Sequence, residues 1–355
     1  MTALVYPVVD VPAPGTAITI APGLKWIRMP LPLALDHINL YLIANGDGWM
    51  VVDCGMKGNV TRDLWQQVFA TALEGKPINA VLCTHMHPDH VGQAGWLVGH
   101  WHAPFYMTFG EYFTARTYGA PTPPQPAEWQ HDTYTSRTGM PPALVEKMRK
   151  GTADFSGVIE PLPRSFQRLY DGQRLTVGEQ QWQVIVGRGH SPEHACLYCP
   201  ALNVLLSGDQ VLPKITSTVS VTNPEPEANP LQEWLQSLQS LLSLPAGVLV
   251  CPAHNRPFYG LHVRLRDLLS HHEQQLQRVE AVLTTPHTAW ELLPVLFGRE
   301  LFNEQLMMGM GECLAHVNYL LARGAVTRQV DAAGVAYYQK SVQSGDGDVG
   351  VTNHE

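Results

Sequence analysis

Apolar positions in the first third of the chain come in short runs separated by Gly, Asn and Asp. "AITIAPGLKWIRMP" (17–30), "INLYLIANGDGWMVVDCG" (38–55) and "NAVLCTH" (79–85) are rich in β-branched and aromatic residues between such turns, which predicts strands and a hairpin. Between the last two, "GNVTRDLWQQVFATALEG" (58–75) changes period: Leu64, Val68, Phe69 and Leu73 fall at helical spacing, with Gly75 just past the end. A second strand block runs through "QRLTVGEQQWQVIVGRGH" (173–190), "ACLYCP" (195–200) and "NVLLSGD" (203–209). Asn229–Pro230 then caps a helix with the stripe Leu231, Trp234, Leu235, Leu238 and Leu242, and "GVLVCPAH" (247–254) is one more buried strand. Two blocks in which strands and helices alternate predict an α/β protein with sheets sandwiched by helices.

The predicted strands share one kind of ending. "VVDCG" ends on Asp53, "VLCTH" runs into "CTHMHPDH" with His85, His87, Asp89 and His90, "VIVGRGH" ends on His190, "VLLSGD" on Asp209 and "VLVCPAH" on His254. Each alone reads as a satisfied polar residue at a strand end. Five together point to a metal site, because strand ends along one edge of an α/β sheet are where ligand sites gather. Imidazole and carboxylate donors suit zinc first, with manganese or iron as alternatives. Such an ion lowers the pKa of bound water and would supply a nucleophile at neutral pH. The chain carries no GxSxG nucleophile elbow.

These motifs, in this order, resemble the metallo-β-lactamase superfamily: an Asp after a strand, HxHxDH ("HMHPDH", 85–90), a distal His, a distal Asp and a last His. The resemblance spans residues 40–260 and implies an αββα sandwich with two divalent transition metals between the sheets. It implies His85, His87 and His190 on one metal, Asp89, His90 and His254 on the other, and Asp209 bridging. Asp89 would also orient the attacking oxygen, and Asp53 would orient the cluster without ligating. "GHSPEH" (189–194) is similar to the GHTxGH segment of glyoxalase II-like thioesterases, with Glu193 in place of the usual Gly. The resemblance thus implies hydrolysis of a thioester or related ester or lactone, with a metal-dependent phosphodiesterase or ribonuclease as the alternative. His194 is open to two readings, a hydrogen-bonding support for the ligands or a buried histidine satisfied by backbone. Lys214 could meet an anionic substrate or be a solvated surface lysine.

Composition narrows the rest. With 45% apolar and 15% charged residues the chain reads as an ordinary folded globular protein. A net charge of −8 gives no general attraction to nucleic acid or acidic membranes, so a small-molecule substrate is expected. No signal-peptide pattern or membrane-length apolar run is visible, and six scattered cysteines favour free thiols, which together suggest a cytoplasmic protein. The lone CxxC, Cys196 and Cys199, lacks a second pair and reads as small residues on a buried strand.

Residues 101–170 hold 12 of the 30 aromatics, along with "PTPPQP" and "MPP". We expect a partly helical insertion over about 105–165 that lines the substrate pocket, with Tyr112, Phe113 and Trp129 as contacts, or else an extra packing layer. A catalytic domain over 1–285 is expected to be followed by a module over 286–342 and a disordered tail over 343–355. In that module two helices precede an Asp/Gly-turned hairpin, which resembles the winged-helix unit appended to some superfamily members and to a related ribonuclease. Residues 287–340 carry four Lys/Arg against five Asp/Glu. Phosphate contacts dominate nucleic-acid affinity, so packing or dimerisation is the expected role, and homo-oligomerisation stays open.

Overall fold

The computed structural model describes residues 4–32, 34–120, 137–150, 155–302 and 304–341. Trp129, part of the expected insertion and the tail 343–355 lie outside the described residues. The chain opens with the antiparallel strands β1 (Ala17–Ala21), β2 (Leu24–Pro30), β3 (His37–Asn45) and β4 (Gly48–Val52). Helix α1 (Asn59–Thr71) crosses to β5 (Ile78–Leu82), which pairs parallel with β4. After α2 (Pro88–Val91) and α3 (Ala94–Trp101), β6 (Phe105–Thr108) adds parallel to β5. Then come α4 (Phe109–Tyr118), α5 (Pro142–Lys150) and β7 (Gln167–Leu169), which closes a seven-stranded sheet in sequence order. The second sheet has β8 (Arg174–Val177), β9 (Gln180–Gly187), β10 (His194–Cys199) and β11 (Val204–Gly208) as an antiparallel meander. Helix α6 (Pro230–Leu241) leads to β12 (Leu249–Pro252), parallel to β11. The long α7 (Leu261–Val282), then α8 (Ala289–Phe297), α9 (Glu304–Ala322) and the hairpin β13 (Val326–Val330)–β14 (Ala336–Lys340) complete the chain.

Side chains alternate across a strand, so a strand buried on both faces must be apolar along nearly all its length. β3 does this save for the buried Asn39, whose amide donates to Pro252 O: Ile38, Leu40 and Leu42 face one cluster with α1 and α3, while Tyr41 and Ile43 face the second sheet. On the other sheet Ala195, Leu197 and Cys199 of β10 meet that inner layer, whereas Cys196 and Tyr198 face α6 and α7. The layers are therefore helix, sheet, sheet, helix, the αββα arrangement that the motif resemblance implies. The same alternation sends Cys196 and Cys199 to opposite faces, so they cannot share one metal. All six cysteines are free and buried.

Helix α1 is anchored by Trp65, which the sequence stripe omits; it is fully buried and its Nε1 donates to Cys54 O at 3.0 Å or less (2.8 Å). Leu73 lies just beyond the helix end and is buried too. The α6 cap is as expected: the Asn229 side chain accepts from Gln232 N. The start of the expected insertion is different, because Phe105–Thr108 is a strand inside the sheet. Among the described residues no helix is long and apolar enough to cross a membrane.

Candidate metal centre

Asp53, His85, His190, Asp209 and His254 each follow their strand within three positions. Asp53 follows β4, Asp209 follows β11, His254 stands two residues after β12 and His190 three after β9. The histidine run leaves β5 and turns into α2, where Pro88 occupies the first helical turn. Proline there gives up an amide that has no intrahelical partner and pre-sets the helical φ. Asp53 and Asn255 sit at positive φ, 63° and 72°. Asp and Asn tolerate that region best among side-chain-bearing residues. The Asp53 carboxylate is held in return, Oδ1 accepting from Thr84 N at 2.8 Å and both oxygens lying within 3.0 Å of Thr84 Oγ1.

Seven donors converge in two groups, His85, His87, His190 and Asp209 in one, Asp89, His90 and His254 in the other. His85 Nε2 lies 2.8 Å from His87 Nδ1 and 3.3 Å from His190 Nε2. Asp209 stands between the groups: Oδ2 is 3.4 Å from His190 Nε2, and Oδ1 is 3.4 Å from His254 Nε2. Asp89 Oδ2 lies 3.5 Å from His254 Nε2 and 3.7 Å from His90 Nε2. Four donors at about 2.0–2.1 Å from a tetrahedral ion stand roughly 3.3 Å apart, so these spacings fit metal ligands. A second observation agrees: His90 Nε2 and Asp209 Oδ1 are buried with no hydrogen-bond partner among the described residues. Buried polar atoms are rarely left so, and the donor set fits divalent ions.

The outer ring nitrogens are oriented from behind, as ligating histidines require. His254 Nδ1 is 2.7 Å from His37 O, His190 Nδ1 is 2.8 Å from Thr218 O, and His90 Nδ1 is 2.8 Å from Asp53 Oδ2. Asp53 thus acts through His90 and Thr84 and does not itself reach the cluster's centre. Burial, then the neighbouring histidines, hold His85 and His87 well below the usual histidine range, the neutral form a ligand needs. For His90 burial works the same way, but Asp53, Asp89 and Asp209 outweigh it and raise it. Burial opposes ionisation of Asp209, and His254 and His90 outweigh it, so its carboxyl is held well below the ordinary range.

Two of the residues singled out in the sequence, His194 and Tyr112, are buried. His194 is fully buried beneath the site, its Nε2 accepting from Asp209 N at 3.1 Å. Burial and His190 push it down to about 3, so it stays a neutral acceptor that positions the Asp209 backbone. Gly208 makes room for it: a Cβ there would stand 2.4 Å from His194 Nε2. Tyr112 is also buried, stacked on Phe166 at 3.8 Å with its hydroxyl donating to Pro163 O, and presents no surface to a substrate. Phe113 is 45% exposed beside Phe109, and Lys214 is exposed on the wall of a cavity next to His37 and Asn255.

Sequence reasoning missed Glu111. It is fully buried at the start of α4 and ties both ligand loops together. Its Oε1 accepts from Ser191 Oγ at 2.6 Å and Glu193 N at 2.7 Å, and its Oε2 from Met86 N at 2.9 Å. Met86 lies between His85 and His87, and Ser191 follows His190, so one carboxylate sets the spacing of three ligands. Glu193 returns the bond, its Oε2 accepting from Gly110 N at 2.8 Å. The only signal was the departure from Gly at position 193, which asks for a partner in the loop opposite.

Comparison with known proteins agrees with this geometry. Residues 33–254 match the family model described as metallo-beta-lactamase superfamily, and 276–341 match the metallo-beta-lactamase-like C-terminal domain. The chain is 24% identical over 317 residues to the probable metallo-hydrolase YqjP of Bacillus subtilis, covering 85% of this chain and 93% of the relative. Among solved structures it is similar to a beta-lactamase domain protein from Burkholderia ambifaria, at 38% identity and TM-score 0.88 over 95% of this chain and 98% of that one. A metallo-beta-lactamase family protein from Thermus thermophilus matches at 28% identity and TM-score 0.75, over 91% of this chain and all of that one. The fold, the two His/Asp clusters and the family match over more than half the chain place this protein in the metallo-β-lactamase superfamily.

Proposed function

We propose that the protein is a binuclear metal-dependent hydrolase of a thioester, or a related ester or lactone, with zinc as the working ion. The observation that carries this reading is the complete set of seven His and Asp donors, with His194 of "GHSPEH" seated beneath the bridging Asp209. Bound there, two divalent ions would lower the pKa of water and polarise a carbonyl. The chain's own part is to hold His85 and His87 neutral, keep Asp209 ionised and fix the rings of His254, His190 and His90 through His37 O, Thr218 O and Asp53. We read the protein as cytoplasmic, acting on a small molecule, with the C-terminal unit as a winged-helix-like packing element. The acid balance over 287–340 supports that role over nucleic-acid binding.

The test is elemental analysis with a substrate screen. Two ions per chain are expected, lost in the His85→Ala/His254→Ala variant, and thioesters should be cleaved with higher kcat/KM than lactones or RNA. Metal-dependent cleavage of RNA at the highest efficiency would replace the thioesterase reading with the nuclease one.

A further inference from the structure

Next to His254, around His37 and Asn255, lies a cavity of about 270 Å³ whose wall includes Tyr6, Arg28, His37, Lys214, Asn255 and Arg256. Three of these side chains are cationic at neutral pH, and no lining residue is acidic. In a chain of net charge −8, that local excess stands out against the background. The arginines are fixed by neutral groups: Arg28 Nη2 donates to Asn255 O at 2.6 Å and its Nε to Asn39 Oδ1 at 3.2 Å. Arg256 donates to Val9 O and lies over the Tyr6 ring at 4.8 Å. Among the described residues none of the three cations makes an ion pair with a carboxylate; Asp36, whose charge acts on Arg28, is bonded to His37 Nδ1 at 2.5 Å. Guanidinium groups held in place but left without a counter-charge are suited to bind an oxyanion, often bidentately.

The cavity is joined to the metal centre through one residue. His37 O takes the His254 Nδ1 hydrogen bond, His37 Nε2 accepts from Asn255 N at 2.8 Å, and the two rings stand 6.2 Å apart. Its volume falls below the roughly 300–1,000 Å³ of complete small-molecule sites, so it suits an end group and not a whole substrate. We propose that Arg28, Lys214 and Arg256 form a subsite for a carboxylate or phosphate at one end of the substrate, whose scissile bond lies at the metals. This assignment rests on the hydrolase reading above.

Lys214→Glu and Arg256→Gln, combined in the full-length metal-loaded chain, test it without disturbing the half-buried Arg28. Calorimetric titration with succinate and with inorganic phosphate measures the site directly. Kinetics then compare two thioesters with the same acyl group, one with a carboxylate on its thiol and one neutral. The expected result is affinity for the small anions lowered by about tenfold or more, and KM for the carboxylate-bearing thioester raised by about tenfold with kcat unchanged. The neutral thioester should be unaffected. Equal anion binding by both proteins, or equal losses on both thioesters, overturns the subsite. Anion binding that depends on these residues but does not compete with the charged thioester would assign a free-anion effector site instead, and the substrate role fails. If neither thioester is turned over, the thioesterase reading falls while the titration still decides whether the cavity binds anions.

Discussion

At the scale of single residues, the metal-competent donors and Asp53 behind them were legible, and the buried carboxylate that ties their loops together was not. His85, His87, His90, His190 and His254 declare themselves because a strand end seldom needs an imidazole. Glu111 does not, since a lone glutamate on a helix ordinarily faces solvent; only the fold shows that it is buried under three donors. Burial raises it to about 7 against the hydrogen bonds that favour its charge. Replacing it by Gln keeps the shape but turns an NH₂ toward one of those donors, and a buried donor left unmatched costs about 1–3 kcal/mol. Glu111→Gln should therefore lower metal affinity by about tenfold or more with the far-ultraviolet circular dichroism unchanged. Metal titration of the variant decides this, and wild-type affinity would make Glu111 a packing residue only.

At the scale of elements, the contact between α7 and α9 carries a pH dependence. His272 and His316 are buried with ring centroids 5.6 Å apart, and three of their four ring nitrogens lack a partner among the described residues. Burial pushes His272 down to about 3 and His316 to about 4, from an ordinary 6.5. The folded state thus refuses protons that the unfolded chain accepts below pH 6.5. Their contribution is fully present above pH 6.5 and is lost as pH falls toward 4, at up to about 1.4 kcal/mol per pH unit for each group. His272→Leu removes one proton acceptor and no hydrogen bond. Thermal melts should show the variant gaining on wild type between pH 7 and pH 5, and parallel curves would show that His272 is not held neutral. The sequence showed α7 as a long helix; that α9 would close over it came from packing.

At the scale of the whole molecule, one apolar cluster joins the helices on the second sheet to the C-terminal unit. Leu231, Trp234 and Leu238 of α6, Leu265 and Leu276 of α7, Leu292 and Leu296 of α8, Leu314 and Val317 of α9, and Tyr338 of β14 share it. The C-terminal unit also reaches the metal centre: Val221 N donates to Gly311 O, and Thr218, three residues earlier, accepts from His190. Truncation after residue 285 would expose that cluster and release the 217–221 segment. We expect the truncated chain to lose its cooperative melt and its bound metal, whereas the full chain unfolds in one calorimetric transition. A truncated protein that melts cooperatively and retains two metals would show the unit to be dispensable.

The sequence by itself determined the layers and the ligands. Doubly buried strands read as near-continuous apolar runs, and residues with metal chemistry at five strand ends have few other uses. Tertiary structure alone decided what lies behind and beside the ligands. The burial of Tyr112 and Glu111, the seat of His194 under Asp209 and the meeting of Arg28 with Arg256 join residues from distant strands and loops. Such pairings depend on how two sheets and their helices stack, and the local periodicity of a chain records which face a residue takes but not which residue it meets there.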